Sequence, residues 1–326
     1  MKDFYVADAV KLENKVVTTY FALSSIQVRE KKQGGQYLAL VLTDKTGSLE
    51  AKMWDDIGEA MTTCSEGCYV KAQGQISKYQ GKFQITLTKM RSAAESEIDP
   101  ADYLPATRFN VDEMWSELRG CVDAFHNTHL RRLVFAFLDD AEIGAAFREA
   151  PAAKTLHHAW LGGLLEHVLT LVRVCLATAP FYPEVDADLL VTGAILHDIG
   201  KTRELSWKNS FGYTLEGQMI GHISIAQGML MEKVQQLQPF PERLRVLVEH
   251  MILSHHGKYE FGSPKLPMTP EAILLSALDD VEAKMQAMRN EFAKATANGK
   301  AADEMTDWVR SMDRPVLNTI AYLKHE

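Results

Sequence analysis

The residues best placed to do chemistry stand at the end of an apolar run. Leu189, Leu190, Val191, Ala194, Ile195 and Leu196 lead into His197 and Asp198, and Gly200, Lys201 and Arg203 follow. A carboxylate buried beside an imidazole is costly unless an opposite charge compensates it. A divalent cation does so, because neutral imidazole and carboxylate both ligate zinc, manganese, iron or nickel. The simpler alternative is an Asp that caps a neighbouring helix and a His that packs.

Further ligand types recur along the chain. His167 lies in GGLLEHVLTL, with Gly163, Leu164 and Leu171 one helical turn away, so it belongs to an apolar face. His222 follows GQMIG and is expected one turn into a helix; His255 and His256 close VLVEHMILSHHG. Asp279, in SALDDVEAKM, shares a face with Leu275 and Ala283, while Asp280 beside it is only weakly separated from it by spacing. Each alone reads as a packing or capping residue. In series, on five successive helical segments, they read as a metal centre. Lys201, three residues past Asp198, is a candidate to offset transition-state charge, against the plain alternative of a solvated lysine favoured by a helix C-terminus.

The elements that must carry these residues are helical from Thr107 onward. VDEMWSELRGCVDAF (111–125) spaces Met114, Leu118, Val122 and Phe125 at three and four residues. Helices are expected over 130–140, 155–178, 186–199, 217–237, 241–254, 271–294 and 302–323, which makes 107–326 an all-α domain. Residues 91–106 (RSAAESEIDPADYLPA) lose periodicity, hold two prolines and read as a linker.

Residues 1–90 read differently. Strands are expected at 16–30, 37–44, 48–54, 68–77 and 82–90, with a short helix at 55–64. Five short strands with a helix between the third and fourth is the order of an OB-fold barrel, which binds through the face of strands 2–3 and through two loops. Those places carry Tyr37, Lys52 and Trp54, then Lys31 and Lys32, then Lys78 and Tyr79. Aromatic rings for bases and lysines for phosphates suit a single strand of nucleic acid. The alternative is that Tyr37 and Trp54 merely cover the barrel.

Composition sets the bounds. The chain has 326 residues, a length for about two domains, and a formal net charge of −8. Charge is uneven: residues 1–90 hold 12 Lys and Arg against 10 Asp and Glu, and the remainder holds 23 against 33. Local patches rather than the total decide phosphate binding. Cys64, Cys68, Cys121 and Cys175 form neither a disulfide framework nor a paired zinc motif, and are expected to be reduced thiols of a cytoplasmic protein. The opening MKDFYVADAV lacks the apolar core of a signal peptide, and no apolar run approaches a membrane span.

The ordered set His167, His197-Asp198, His222, His255-His256, Asp279 resembles that of the HD-domain metallophosphohydrolases over residues 107–326. With the barrel in front, and with HHAWLGGLLEHVLTL, HDIGKTREL, HHGKYEFGSPKLPMTPEA and LDDVEAKM, the chain resembles the YhaM-type 3′→5′ exoribonucleases almost throughout. The resemblance implies two divalent ions, with manganese favoured and iron, cobalt or nickel also suited. It implies one held by His167, His197, Asp198 and Asp279, and a second by Asp198 with His222, His255 and His256. It also implies single-stranded RNA, and often DNA, as substrate, cut from the 3′ end by in-line attack of water to give nucleoside 5′-monophosphates. The family pattern Ala-Asp-Asp-Leu-Asp-Ala-Lys is met here with Leu278, Val281 and Glu282, departures that leave Asp279 in place. His157 and His158 are candidates to touch substrate phosphate. Two rival readings are an HD-domain hydrolase of a small nucleotide or cyclic dinucleotide, and a single-strand-binding module without catalysis. HHGKYEFGSP lacks the Gly-Tyr-Pro run of the HD-GYP phosphodiesterases, and the intact ligand set disfavours the second.

Overall fold

A computed structural model describes the chain except residues 1, 3, 32–33, 80, 100–101, 155–157, 208–210, 298 and 325–326. It divides into two compact units, one made of Met1–Ala106 with Ser206–Gly212, the other of Thr107–Leu205 with Tyr213–Glu326.

The first unit is a closed barrel of β1 (Val16–Glu30), β2 (Gln36–Asp44), β3 (Gly47–Met53), β4 (Tyr69–Tyr79) and β5 (Lys82–Ser92), with α1 (Ile57–Thr63) between β3 and β4. β1 is long enough to serve two neighbours. Its first half pairs with β4 and its second with β2, with a register shift between Leu23 and Ser25. A parallel pairing of β3 with β5 closes the ring. The two-residue period places Leu38, Leu40, Leu42, Leu49, Ala51 and Met53 inside with Ile76, Ile85 and Leu87. This is the expected five-stranded OB-fold.

Residues 91–106 are not a free connector. Ala93 N–H donates to the Tyr69 carbonyl at 2.8 Å, and the buried Tyr103 ring packs on Tyr69 with centroids 4.7 Å apart. Asp102 accepts from the Tyr5 hydroxyl at 2.5 Å and from Lys45 at 2.9 Å, and Glu97 pairs with Arg91. Anchors scattered without a period hold this segment to the barrel, which periodicity could not reveal.

The second unit contains α2 (Val111–Asp123), α3 (Thr128–Leu138), α4 (Ala141–Glu149), α5 (Gly163–Thr178), α6 (Ala187–Leu196) and α7 (Lys201–Glu204). A small hairpin, β6 (Leu205–Ser206) with β7 (Gly212–Tyr213), precedes α8 (Leu215–Ile220), α9 (His222–Gln236), α10 (Glu242–Ser254), α11 (Pro270–Ala297) and α12 (Thr319–Leu323). Helix starts follow side-chain capping. Asn110, Asn127, Asp140 and Asp186 each accept from backbone N–H groups of the turn they open. α6 is buried on every side, from Leu189 to Leu196, as an apolar helix without a polar face must be. α5 is also long and apolar enough, extended to Phe181, to match a membrane span by length and composition, but half of that window is buried in the protein and it carries His167.

Three expected helices differ. The 155–178 helix begins only at Gly163, after Gly162 adopts φ 76°. The 217–237 helix is broken at Gly221, also at positive φ, so His222 opens α9 instead of lying a turn inside it. Of 302–323 only Thr319–Leu323 is helical; Asp313 has φ 54° and an isolated bridge joins Val309 to Arg314.

Gly74 lies at a register shift of β4, where a Cβ would sit 2.4 Å from the Thr86 carbonyl oxygen. Gly74→Ala is expected to lower stability by about 1–3 kcal/mol through overpacking. Gly58→Ala in α1, whose Cβ meets nothing within 4 Å, should be neutral or slightly stabilising. Denaturant unfolding of the two variants against the parent checks the contrast.

Candidate metal centre and nucleic-acid face

The helical unit gathers the predicted ligands from five elements. His167 projects from α5, His197 and Asp198 lie on the turn between α6 and α7, His222 opens α9, His255 and His256 follow α10, and Asp279 sits in α11. His167 Nε2 is 3.4 Å from His197 Nε2 and 3.3 Å from Asp279 Oδ1. His197 Nε2 is 3.3 Å from Asp198 Oδ2. On the other side of the same carboxylate, Asp198 Oδ1 is 3.5 Å from His222 Nε2 and 3.8 Å from His255 Nε2. His167, His197 and Asp279 offer ligand atoms within 4.8 Å of one another, and so do His222, His255 and His256. Asp280 is turned to solvent, where it pairs with Lys284.

Close backbone approach makes this convergence possible. A Cβ on Gly200 would lie 2.0 Å from the His222 carbonyl oxygen, so only glycine lets α9 start beside the His197-Asp198 turn. A Cβ on Gly217 would lie 2.2 Å from the Glu204 carbonyl oxygen, which brings Glu204 to the same place.

The imidazoles are aimed from behind. His197 Nδ1 donates to the Ala194 carbonyl at 2.9 Å, and His255 Nδ1 to the Ile252 carbonyl at 2.8 Å, in each case an unpaired acceptor of a helix C-terminus. His256 Nδ1 donates to the Phe261 carbonyl at 2.9 Å. His222 Nδ1 donates to Glu204 at 3.1 Å, and His167 Nδ1 to Glu282 at 2.6 Å. A carbonyl or carboxylate can only accept, so every ring carries a proton on Nδ1 and turns its Nε2 inward.

The polar groups left over test whether metal fits. Asp198 Oδ1, His222 Nε2 and His255 Nε2 are buried and have no hydrogen-bond partner among the described residues. Leaving three such atoms bare costs about 1–3 kcal/mol each, and they face one another across one space. One cation satisfies all three, and the donor set suits a divalent transition metal. The residues therefore fit a divalent metal.

Charge follows the same logic. Burial would raise the Asp198 carboxyl, but the Lys201 ammonium, 2.6 Å from Oδ2, and the surrounding imidazoles hold it well below the usual range. Burial likewise opposes ionisation of Asp279, and His167 and His197 overcome it. Burial would lower His167, yet Asp279 beside Nε2 and Glu282 beside Nδ1 raise it to about 10, so without a cation in the site a second proton is favoured on Nε2, which a metal would replace. Burial and then the neighbouring imidazoles push His255 and His256 down and keep both neutral. Lys201 is committed to Asp198 and is not a free surface cation; its side chain is 13 % exposed.

Three participants were not singled out from sequence as parts of this site's support. Glu282 accepts from His167 Nδ1 and from His158 Nε2, at 2.6 and 2.8 Å. It stands three residues past Asp279, the spacing that puts both on one helix face, and this was the available signal. Glu204 holds His222 through both ring and backbone N–H. His158 is buried at φ 50°, strained for a non-glycine residue, and points at Glu282 instead of an open phosphate site. His157 lies outside the described residues.

On the barrel, Tyr37 and Trp54 face each other across β2 and β3 and stack, with centroids 4.4 Å apart at 23°. Lys52 lies over the Tyr79 ring at 5.3 Å. Strand alternation sends Lys78 the other way, over Phe83 at 5.5 Å, so Lys78 and Tyr79 do not act from one loop. Lys31 pairs with Asp55 at 3.1 Å, and Lys32 lies outside the described residues.

A chain that holds both a barrel of this form and a helical unit with this ligand set is an HD-domain, metal-dependent phosphohydrolase. Residues 164–284 match the HD domain family model, and residues 24–93 match that of the OB-fold nucleic acid binding domain. The 3'-5' exoribonuclease YhaM of Halalkalibacterium halodurans is 32% identical over 300 residues, spanning 92% of this chain and 91% of the relative. That of Bacillus subtilis is 36% identical over 273 residues, spanning 83% and 86%. That of Bacillus velezensis is 37% identical over 270 residues, spanning 82% and 85%. The chain belongs to the YhaM family.

Glu282→Gln is expected to weaken divalent-metal affinity about 10–100-fold, the usual effect of removing a carboxylate behind a ligating histidine. Glu282→Asp, which keeps the charge, should lose less. Titration of chelator-treated protein with Mn²⁺ reads both; equal affinity of parent and Glu282→Gln would remove Glu282 from the metal centre.

Proposed function

We propose that this protein is a 3′→5′ exonuclease acting on single-stranded RNA, and on DNA by the same route, with two divalent ions, manganese favoured, and nucleoside 5′-monophosphates as products. The observation that carries the reading is Asp198: one buried carboxylate whose two oxygens face two different groups of imidazoles. We assign His167, His197, Asp198 Oδ2 and Asp279 to one ion, and Asp198 Oδ1, His222, His255 and His256 to the other. Divalent ions so held lower the pKa of water and polarise a phosphodiester.

The chain's own groups do the rest. Asp198 joins the two halves of the site, and Lys201 keeps it ionised; the further role we assign to Lys201 is to offset charge on the phosphate. Glu282 and Glu204 hold His167 and His222 in the required tautomer. The stacked pair Tyr37–Trp54 and the Lys52–Tyr79 pair offer ring faces and ammonium groups to bases and phosphates. The net +2 of residues 1–90 favours this unit for a polyanion. The free thiols Cys64, Cys68, Cys121 and Cys175 support a cytoplasmic setting.

Digestion of 5′-labelled and 3′-labelled RNA with Mn²⁺, Co²⁺, Ni²⁺ or Mg²⁺ tests polarity, product and metal together. A 5′-labelled ladder that shortens stepwise supports the proposal; internal cuts or hydrolysis of cyclic dinucleotides alone would refute it. Asp198→Asn should lower turnover about 10³-fold or more, with RNA binding little changed. Tyr37→Ala with Trp54→Ala should weaken long-strand affinity tenfold or more, given about 1–3 kcal/mol per stacked base. Fluorescence anisotropy with a labelled oligonucleotide measures it, and unchanged affinity would make those rings structural.

A further inference from the structure

The metal centre is sealed on one side and open on the other. His167, His197 and His255 are buried, whereas Asp279 and His222 keep 19 % and 14 % of their side chains exposed and His256 is half-buried. The open rim continues into the segment that follows His256. Gly257 turns there with φ 76°, and a Cβ on it would lie 2.4 Å from Ser276 Oγ, one turn before Asp279. The root of the loop is therefore pressed against α11.

The loop itself is firmly held. His256 Nδ1 donates to the Phe261 carbonyl. Phe261 and Ser263 N–H both donate to the Lys258 carbonyl, at 3.1 and 3.2 Å. The buried Ser263 hydroxyl sits between the Leu253 and Lys265 carbonyls. Yet this segment leaves Tyr259 65% and Phe261 59% exposed. The Lys258 ammonium lies 5.2 Å from the centre of the Phe261 ring, with Glu260 at 3.5 Å. Lone exposed apolar residues are ordinary. Two rings and a cation on one anchored turn, tied by hydrogen bond to a residue of the metal cluster, form a surface with an orientation relative to the chemistry.

We propose that Tyr259 and Phe261, with Lys258, form the seat of the terminal nucleotide of the strand being cut. The rings stack on the end base and the ammonium meets a backbone phosphate. Every base has a π-face, so such a seat holds any sequence, as an enzyme that removes nucleotides one after another requires. This inference rests on the exonuclease reading above and assigns its terminal subsite.

The test compares two RNA strands, one ending in an ordinary 3′ nucleotide and one ending in an abasic 3′ residue, with Mn²⁺ and the full chain. The parent is expected to favour the ordinary end by about tenfold or more in kcat/KM, the scale of one lost stack. In Tyr259→Ala with Phe261→Ala this ratio should collapse towards one. Tyr259→Phe with Phe261→Tyr, which keeps both rings, should retain it. A ratio that is the same in the parent and in the double alanine variant overturns the proposal, whatever its size. A parent that shortens neither strand from the 3′ end overturns the exonuclease reading itself, which separates the two failures.

Discussion

A single buried carboxylate, Asp198, sets the terms for the helical unit. One of its oxygens takes the Lys201 ammonium and faces His197, and the other faces His222 and His255 with no hydrogen of its own. In an apolar interior such an arrangement is unfavourable until a cation fills it. The residues around it do not relieve that demand; they sharpen it. Each neighbouring imidazole gives its Nδ1 proton to an acceptor behind it and turns its Nε2 towards the cluster. The site is built to be completed from outside the chain.

The acceptors behind the rings show how cheaply this was arranged. Helices end with unpaired carbonyls in any case, and the ends of α6 and α10 spend theirs on His197 and His255. A helix that runs out at a histidine thereby both satisfies a carbonyl and fixes a tautomer. Where no helix end is at hand, carboxylates take the role: Glu204 for His222 and Glu282 for His167. Glycine does the remaining work. At Gly200 and Gly217 the backbones approach too closely for any Cβ, so chemistry-bearing turns can touch without side chains between them.

Much of this was readable from residue order, and the gaps have physical causes. The barrel showed itself through period-two burial, as at Leu38, Leu40 and Leu42, because alternation in sequence is alternation in space. The His197-Asp198 turn showed itself because it ends the apolar run of Leu189, Leu190, Val191, Ala194, Ile195 and Leu196. Glu282 was visible as a departure from a pattern and by its spacing from Asp279, but not as a buried group, since a buried carboxylate and an exposed one look alike in sequence. His158 could not be placed, because its role depends on a positive φ that residue type does not announce. The stretch around Tyr103 lacked periodicity and so passed for a linker, though a single ring and two acids fasten it to the barrel. Composition suggested a helix over 302–323, but residue type did not disclose the positive φ at Asp313, and Pro315 cannot supply a helical N–H.

The charge balance of the pocket explains why an acidic unit can act on a polyanion at all. Among the described residues, Asp198, Asp279, Glu204 and Glu282 meet one ammonium within the cluster, that of Lys201, and the imidazoles of His255 and His256 are held neutral. A phosphodiester approaching such a pocket would be repelled. Divalent charge held there would reverse the sign of the field that the phosphate at the site meets. The excess of acid in residues 91–326 is thus compatible with nucleic acid, because its most buried carboxylates, Asp198 and Glu282 among them, lie in the cluster that fits a divalent metal.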